Sequence, residues 1–313
     1  MKHLNTYITE YIIKKKLDKP INSEDQYDYY PKTKEELLNN IKECLDSNNY
    51  DLNCINTSKI TDMSSLFYNL KFEKININVS NWDVSNVKDM NHMFCNCTKF
   101  DCDLSKWNVS NVKDMQYMFN GCESFEGKGI ENWDVSNVIN MNYMFGDCWD
   151  FNYDLSKWNV SNVKDMSHMF YFCKNFEGKG LENWDVSKVE DTNHMFYDCK
   201  SLCCDLSSWK ISKNNTNISN MFMGCGKFDC DLSGWDVSNV TNSNMAFYFC
   251  KEFKGKGLEN WDVSKVKDIS GMFNNCYKFN CDLSNWNVSN VENMSFAFFN
   301  CRSLKNKPSW YKE

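Results

Sequence analysis

One phrase, W-(D/N)-V-S-N-V-x-(D/N)-M-x-x-M-F-x-x-C-x-x-F, returns every 25 or 26 residues along most of this chain. Its tryptophans stand at Trp82, Trp107, Trp133, Trp158, Trp184, Trp209, Trp235, Trp261 and Trp286, so the step alternates almost strictly between those two lengths. A short fixed period restricts the fold severely. A unit of this size cannot bury its own apolar face, and stability comes from stacking each unit on the next. The chain is therefore expected to be a repeat solenoid in which equal places of the phrase form continuous rows through one shared interior.

The rows can be written down. Ten coils carry Phe at one site, running from Phe67 through Phe94, Phe119, Phe145, Phe170, Phe196 and Phe222 to Phe298. Three residues after it lies a cysteine column that includes Cys97, Cys122, Cys148 and Cys173. With Trp107, Trp133 and Trp158 these residues are the expected structural core. The chain has 17 cysteines, which at first suggests a disulfide scaffold. Nine of them occupy this single column, an odd number that cannot all pair, and no C-x-x-C metal spacing accompanies them. Free cysteine behaves as a small buried hydrophobe, so the column reads as reduced thiols. Any inter-coil bridge would best join Cys204 and Cys230, which hold matching places in neighbouring coils.

Within a coil the pattern predicts two short extended stretches and one short helical turn. Leu-Ser-x-Trp-x-Val places Trp and Val on one face of a strand. Asp or Asn followed two residues later by Ser turns the chain, and Met-Phe-x-x-Cys has the spacing of a helical turn. Stacking like strands at ~4.8 Å per coil makes an elongated body. Two kinds of coil alternate, one with Asp-Leu-Ser before its Trp and one with Gly-Lys-Gly. The alternation breaks at the coils of Trp209 and Trp235, and the segment Lys213 to Asn217 has one extra residue and no Val. That segment is expected to bulge and to be the place where the solenoid is interrupted.

Residues 1–50 lie outside the repeat and read as a helical capping segment. Leu4, Tyr7, Ile8, Tyr11 and Ile12 share one helical face, and Thr33 to Glu36 is a capping box opening a second helix with Leu37, Leu38, Ile41, Cys44 and Leu45 as its apolar stripe. Residues 51–305 are the repeats, with Ile55 in the first Trp place, and 306–313 form a closing tail that brings Trp310.

Several functions are disfavoured. A net charge of −7 opposes nonspecific nucleic-acid binding, which needs dense Lys and Arg. No apolar run reaches the ~20 residues of a membrane span, and no secretory pattern opens the chain, so the cytoplasm is the default location. Four histidines and the absence of Gly-x-Ser-x-Gly, His-Glu-x-x-His or P-loop patterns give catalysis little to work with. No cofactor or metal is expected. Gly127-Lys128-Gly129 and its copies read as turns, paired carboxylates such as Asp101 and Asp103 as Asx turns rather than calcium ligands, and Asn108, Asn159 and Asn287 as turn residues rather than glycan acceptors. One column, holding His92, Tyr117, Tyr143, His168 and His194, could be either a ribbon of interface residues or stacked ring packing.

The units Met-Phe-x-x-Cys-x-x-Phe and Trp-Asp-Val-Ser-Asn-Val resemble the bacterial surface-protein repeat of about 26 residues that is grouped with BspA-like leucine-rich repeats. The resemblance spans about residues 51–305 and implies a leucine-rich-repeat-like solenoid whose proposed roles concern adhesion and protein binding. The chain shows neither a signal peptide nor a wall anchor, which sets it apart from displayed members. The expected function is a non-enzymatic scaffold that binds a protein partner through an extended face, with Tyr117, Tyr143, His168 and His194 as candidate contacts. A surface-displayed adhesin and a self-assembling structural protein are the alternatives.

Overall fold

The computed structural model describes residues 26–68 and 76–312. Ten coils stack one upon another, and the repeated apolar positions form one core. The Phe row runs ring on ring from Phe67 to Phe298 at 5.2–5.9 Å between centroids, and its rings are buried. These steps exceed a strand spacing because parallel rings prefer to stack offset.

The tryptophans form a second row with a polar fastening. Each buried indole N–H donates to a backbone carbonyl of the preceding coil, as from Trp107 to Val79 (3.0 Å), Trp158 to Ile130 (2.9 Å) and Trp209 to Leu181 (2.7 Å). Buried indole nitrogens require such partners. The two step lengths have a structural meaning. Trp107–Trp133, Trp158–Trp184, Trp209–Trp235 and Trp235–Trp261 stack at 6.3–6.4 Å, and each pair spans a 26-residue step.

The cysteine column is also fastened. Every one of its Sγ atoms lies 2.8–3.5 Å from the carbonyl oxygen of the Phe one coil earlier. A small thiol fills the space and offers a weak donor to a buried acceptor. All 17 cysteines are free, Cys204 and Cys230 among them. The Cys230 Sγ instead lies 3.3 Å from Asp205 Oδ1 and accepts the Leu206 N–H at 3.1 Å.

The expected strands and helical turn are replaced by something tighter. Among the described residues, pairing is confined to isolated parallel bridges: Tyr29 to Ile55 and Asp51 to Asn78 at the first coils, one row joining Asp62, Asp89, Asp114, Asn140, Asp165 and Asp191, and another joining Asn217, Asn242, Asp268 and Asn293. Met-Phe-x-x-Cys is a run of β-turns. His92, Phe94 and Asn96 donate forward to the carbonyls of Gln116, Met118 and Asn120, while Met93, Cys95 and Cys97 donate back three residues within their own coil. Left-handed backbone at His92 (φ 55°) and Asn96 (φ 63°) recurs coil by coil. It turns alternate N–H groups toward the neighbour, whereas a helix would direct them all along its own axis.

The two kinds of coil work as couples. In the Gly-Lys-Gly kind, Gly129 has φ 92°, and a Cβ there would fall 2.2 Å from Ser105 N. Only glycine permits that approach, which lets Leu104 N–H reach the Lys128 carbonyl at 3.1 Å. The Lys128 ammonium then meets Asp103 at 3.1 Å, as Lys179 meets Asp154 and Lys256 meets Asp231.

Before the first coil lies helix α1 (Lys34–Asp46). Thr33 Oγ1 accepts the Glu36 N–H at 3.2 Å, and Glu36 reaches back to the N–H of Lys32. Leu37, Ile41 and Cys44 join the core, whereas Leu38, expected in the apolar stripe, turns outward. Ile55 is buried in the first Trp place. At the other end Trp310 stacks on Trp286 at 6.1 Å and donates to Leu283 O at 2.8 Å. The helix expected around Leu4 to Ile12 lies outside the described residues.

Candidate functional site

The ring column is a continuous stack. His92, Tyr117, Tyr143, His168 and His194 follow one another at 4.1–4.6 Å with planes within 15°. All five are half-buried and adopt left-handed backbone, φ 53–57°. The four candidate contacts Tyr117, Tyr143, His168 and His194 are thus brought together, but largely face to face with one another. Burial, and then its neighbour His194, lowers the His168 pKa to about 4. Burial lowers His194 as well. The Nδ1 atoms of both are buried without a hydrogen-bond partner. Burial thus biases both imidazoles toward the neutral form within the stack.

The other candidate groups take the places their turn chemistry predicts. Asn108, Asn159 and Asn287 each accept the N–H of the Ser two residues on, as Asp83 does. Asp103 pairs with Lys128 and Asp229 with Lys254. Among the described residues no cluster of His, Cys, Asp and Glu could hold a metal ion.

The seventh coil, from Trp209 to Phe228, departs from the rest in its interior. In a row otherwise held by Met, Ile and Ser243, and in one otherwise held by Val and Ile60, the interface between the sixth and seventh coils has Thr192 and Asn215, each 1% exposed. They satisfy one another, Asn215 Nδ2 donating to Thr192 Oγ1 at 2.8 Å, and Asn215 Oδ1 accepts the Asn217 N–H at 3.1 Å. Lys210 stands where neighbouring coils have Asp or Asn, so no Asx turn forms. Ser212 Oγ accepts the Asn214 N–H at 3.2 Å in its place. The extra residue is absorbed in that turn, with Lys213 and Asn214 exposed. Its cost is one bridge, the one that would join Asp191 to Asn217. The solenoid is not interrupted there, because Phe196 and Phe222 still stack at 5.5 Å.

The same coil opens the surface. A cleft of about 530 Å³ is lined by Phe172, Tyr197, Met223, Tyr248 and Phe249, with Asp198, Lys200 and Lys251 at its margin and Gly224 and Gly226 in its floor. The floor keeps the regular ladder: Asp198 N–H donates to Met223 O (2.6 Å) and Gly224 N–H to Tyr248 O (2.7 Å). The cavity therefore arises from missing side chains, not from displaced backbone. Gly226 stands where other coils carry Thr98, Glu123, Trp149, Lys174, Lys200, Lys251, Tyr277 and Arg302. A Cβ at Gly226 would meet nothing within 4 Å, so packing does not demand glycine. The ring stack leads into the cleft wall, since His194 lies 5.6 Å from Tyr197, which lies 5.2 Å from Phe172. Sequence reasoning marked the irregular turn of this coil but missed Gly224 and Gly226. The available signal was the one glycine in a column otherwise filled by larger side chains.

Comparison with known proteins gives a family and little more. The sequence family described as "Mycoplasma protein of unknown function, DUF285" matches residues 35–129, 121–232 and 216–312. No curated protein matches the chain. Among solved structures, an internalin from Listeria monocytogenes is 13% identical, with 84% of this chain and 80% of that one covered and a TM-score of 0.22. A leucine-rich repeat protein from Bacteroides ovatus is 14% identical, with 79% and 78% covered and a TM-score of 0.22.

Proposed function

Because the chain belongs to the DUF285 family, whose description assigns no activity, we propose a function from the geometry of this chain: a non-enzymatic scaffold that binds a partner protein through the face carrying the ring stack and the cleft. One observation carries this reading. The junction of the sixth and seventh coils breaks the repeat in its core and along its edge, and on the surface of the seventh coil lies a preformed cavity with aromatic walls. Pockets of this size and lining are where binding partners anchor. The regular rows on either side supply a rigid frame. The column cysteines do not suggest themselves as nucleophiles, since burial holds their thiols well above the ordinary range.

The test is site-specific photo-crosslinking with the full chain in extract of the native host. A benzophenone amino acid is placed at Lys200 or Lys251 on the cleft face, or at Lys106 or Lys157 beside the Trp row. A discrete heterologous adduct from the cleft positions alone supports the reading. Equal adducts from all four positions remove it. Adducts only with a second copy of the chain replace it with self-assembly. The resemblance to surface-protein repeats concerns where the partner is met, and protease shaving of intact cells decides that.

A further inference from the structure

We propose that the cleft of the seventh coil receives one large apolar side chain, preferably aromatic, carried on an acidic segment of the partner. The inference rests on the partner-binding reading above and adds the chemistry of what is bound.

The apolar half of the argument comes from the walls. Phe172, Tyr197, Tyr248 and Phe249 line one cavity together with the adaptable side chain of Met223. Phe172 and Tyr197 pack at 5.2 Å with planes 51° apart, and Tyr248 and Phe249 at 4.8 Å with planes 55° apart. Tilted rings of this kind leave edges available to a further ring. Tyr197 and Tyr248 stand two coil steps apart with Met223 between them, and Phe172 and Phe249 stand three steps apart with Asp198 and Gly224 between them. The room lies over Gly224 and Gly226, where a side chain entering the cleft would meet rings from the coils on either side. A cavity of about 530 Å³ has room for a single anchor residue and its adjoining backbone, the usual arrangement of a binding hot spot.

The acidic half comes from the margin. Lys200 and Lys251 flank the missing Gly226 side chain from the coils on either side. Lys200 is balanced by Asp198 at 3.4 Å, and Lys251 has no ion-pair partner among the described residues. Lys227 lies exposed beside Gly226, and Lys174, two coils before, stacks over Trp149 at 3.7 Å. Of these cations Lys200 and Lys251 line the opening together with Asp198, which leaves the opening one net positive charge (two lysines less one carboxylate) in a chain of net charge −7. Such a margin steers carboxylates toward the site and disfavours basic segments.

The glycines provide the means of testing this. Gly226→Trp and Gly226→Lys fill the notch from a position with open space above it, so the fold is retained, and an unchanged thermal midpoint verifies that. Three fluorescein-labelled heptapeptides serve as probes with the full chain: Asp-Glu-Asp-Trp-Glu-Asp-Glu, the same peptide with Ala for Trp, and the Trp peptide with Lys at every acidic position. Fluorescence anisotropy should show the acidic Trp peptide binding at least tenfold more tightly than either control. Gly226→Trp should weaken it tenfold or more, and Gly226→Lys should weaken the apolar contribution while retaining salt-sensitive attraction. Equal binding of the Trp and Ala peptides, no effect of Gly226→Trp, or no binding of any peptide at 1 mM overturns the proposal. Heterologous cross-links from Lys200 and Lys251 that persist under any of those outcomes leave the partner-binding reading standing. Loss of both removes both.

Discussion

Thr192 and Asn215 form a buried polar pair in the core, and Thr192→Val tests its contribution directly. Valine keeps the shape of threonine and removes Oγ1, the acceptor of the Asn215 Nδ2–H bond at 2.8 Å. Asn215 is 1% exposed, so water cannot readily replace that acceptor. A buried amide donor left unpaired costs about 1–3 kcal/mol. Asn215→Val removes the other partner, and also the Oδ1 acceptor of the Asn217 N–H. Asn217 is half-buried, so solvent can recover part of that loss. The double variant Thr192→Val/Asn215→Val leaves no orphaned side-chain donor. It should therefore be less destabilised than the sum of the single variants by about 1–2 kcal/mol, within the range of contacting pairs. Equilibrium urea unfolding followed by tryptophan fluorescence provides the readout, because the indoles are buried. Comparison is made at constant slope, so that a change in cooperativity is not mistaken for a change in stability. If Thr192→Val leaves the midpoint unmoved, or if the two single effects simply add, the polar pair does not hold this interface together.

Three further outcomes follow from the rows. Phe170→Ala, in the middle of the stack with Phe145 and Phe196 at 5.7 Å on either side, should cost roughly 3–5 kcal/mol by calorimetry or urea unfolding, and a cost under 1 kcal/mol would mean that the row is not the core. In native protein a thiol reagent should label Cys203 first and the half-buried Cys54, Cys204 and Cys281 more slowly, with the 13 buried thiols reacting only in denaturant; rapid native labelling of the column would refute its closure. His168 is neutral in the folded state because its pKa falls to about 4, whereas an unfolded histidine titrates near 6.5. Between those values the unfolded chain binds the additional proton, so this residue lowers stability as pH falls from ~6.5 toward 4, by on the order of 1–2 kcal/mol after allowing for partial exposure. The Asp114, Asp147 and Asp191 carboxyls, raised chiefly by burial, act in the opposite direction. The effect of His168 is therefore read as the difference from His168→Tyr, which should flatten the pH dependence across that window.

How much of this was legible depends on which force sets each feature. Burial of apolar side chains depends on residue type and period, so the Phe, Trp and Cys rows and the capping box at Thr33 could be read from the letters alone. Backbone conformation is a different matter. Met-Phe-x-x-Cys has helical spacing, yet the forward hydrogen bonds of each coil require a neighbour, and a single unit does not reveal that its residue before Met will turn left-handed. The ring column shows the same limit. Its residue types suit an interface, and only the stacking of His168 between Tyr143 and His194 reveals that much of their surface is spent on one another. The cleft escaped notice because it is built from an absence. Glycine at position 226 has no local signature, and its meaning emerges only when nine coils are laid in register and one place is found unfilled.

The departures of the seventh coil separate cleanly in space along its length, and that separation bears on how it can serve as a site. A solenoid's stability is close to a sum of nearest-neighbour terms, so a weakened interface subtracts from its own term and leaves the others intact. The loss here falls at Thr192, Asn215 and the missing bridge to Asn217. Further along the same coil the ladder resumes at full count: His194, Phe196 and Asp198 donate forward to Ser219, Met221 and Met223, and Asn220, Phe222 and Gly224 to Asn244, Ala246 and Tyr248. The cleft floor lies entirely within this restored portion. Its walls are therefore held by the regular frame while the irregular turn is accommodated elsewhere, so the proposed partner would meet a preformed cavity. Preformed cavities avoid much of the entropic cost of association. In the proposed mode, an anchor residue would distinguish this coil by the place that Gly226 leaves unfilled.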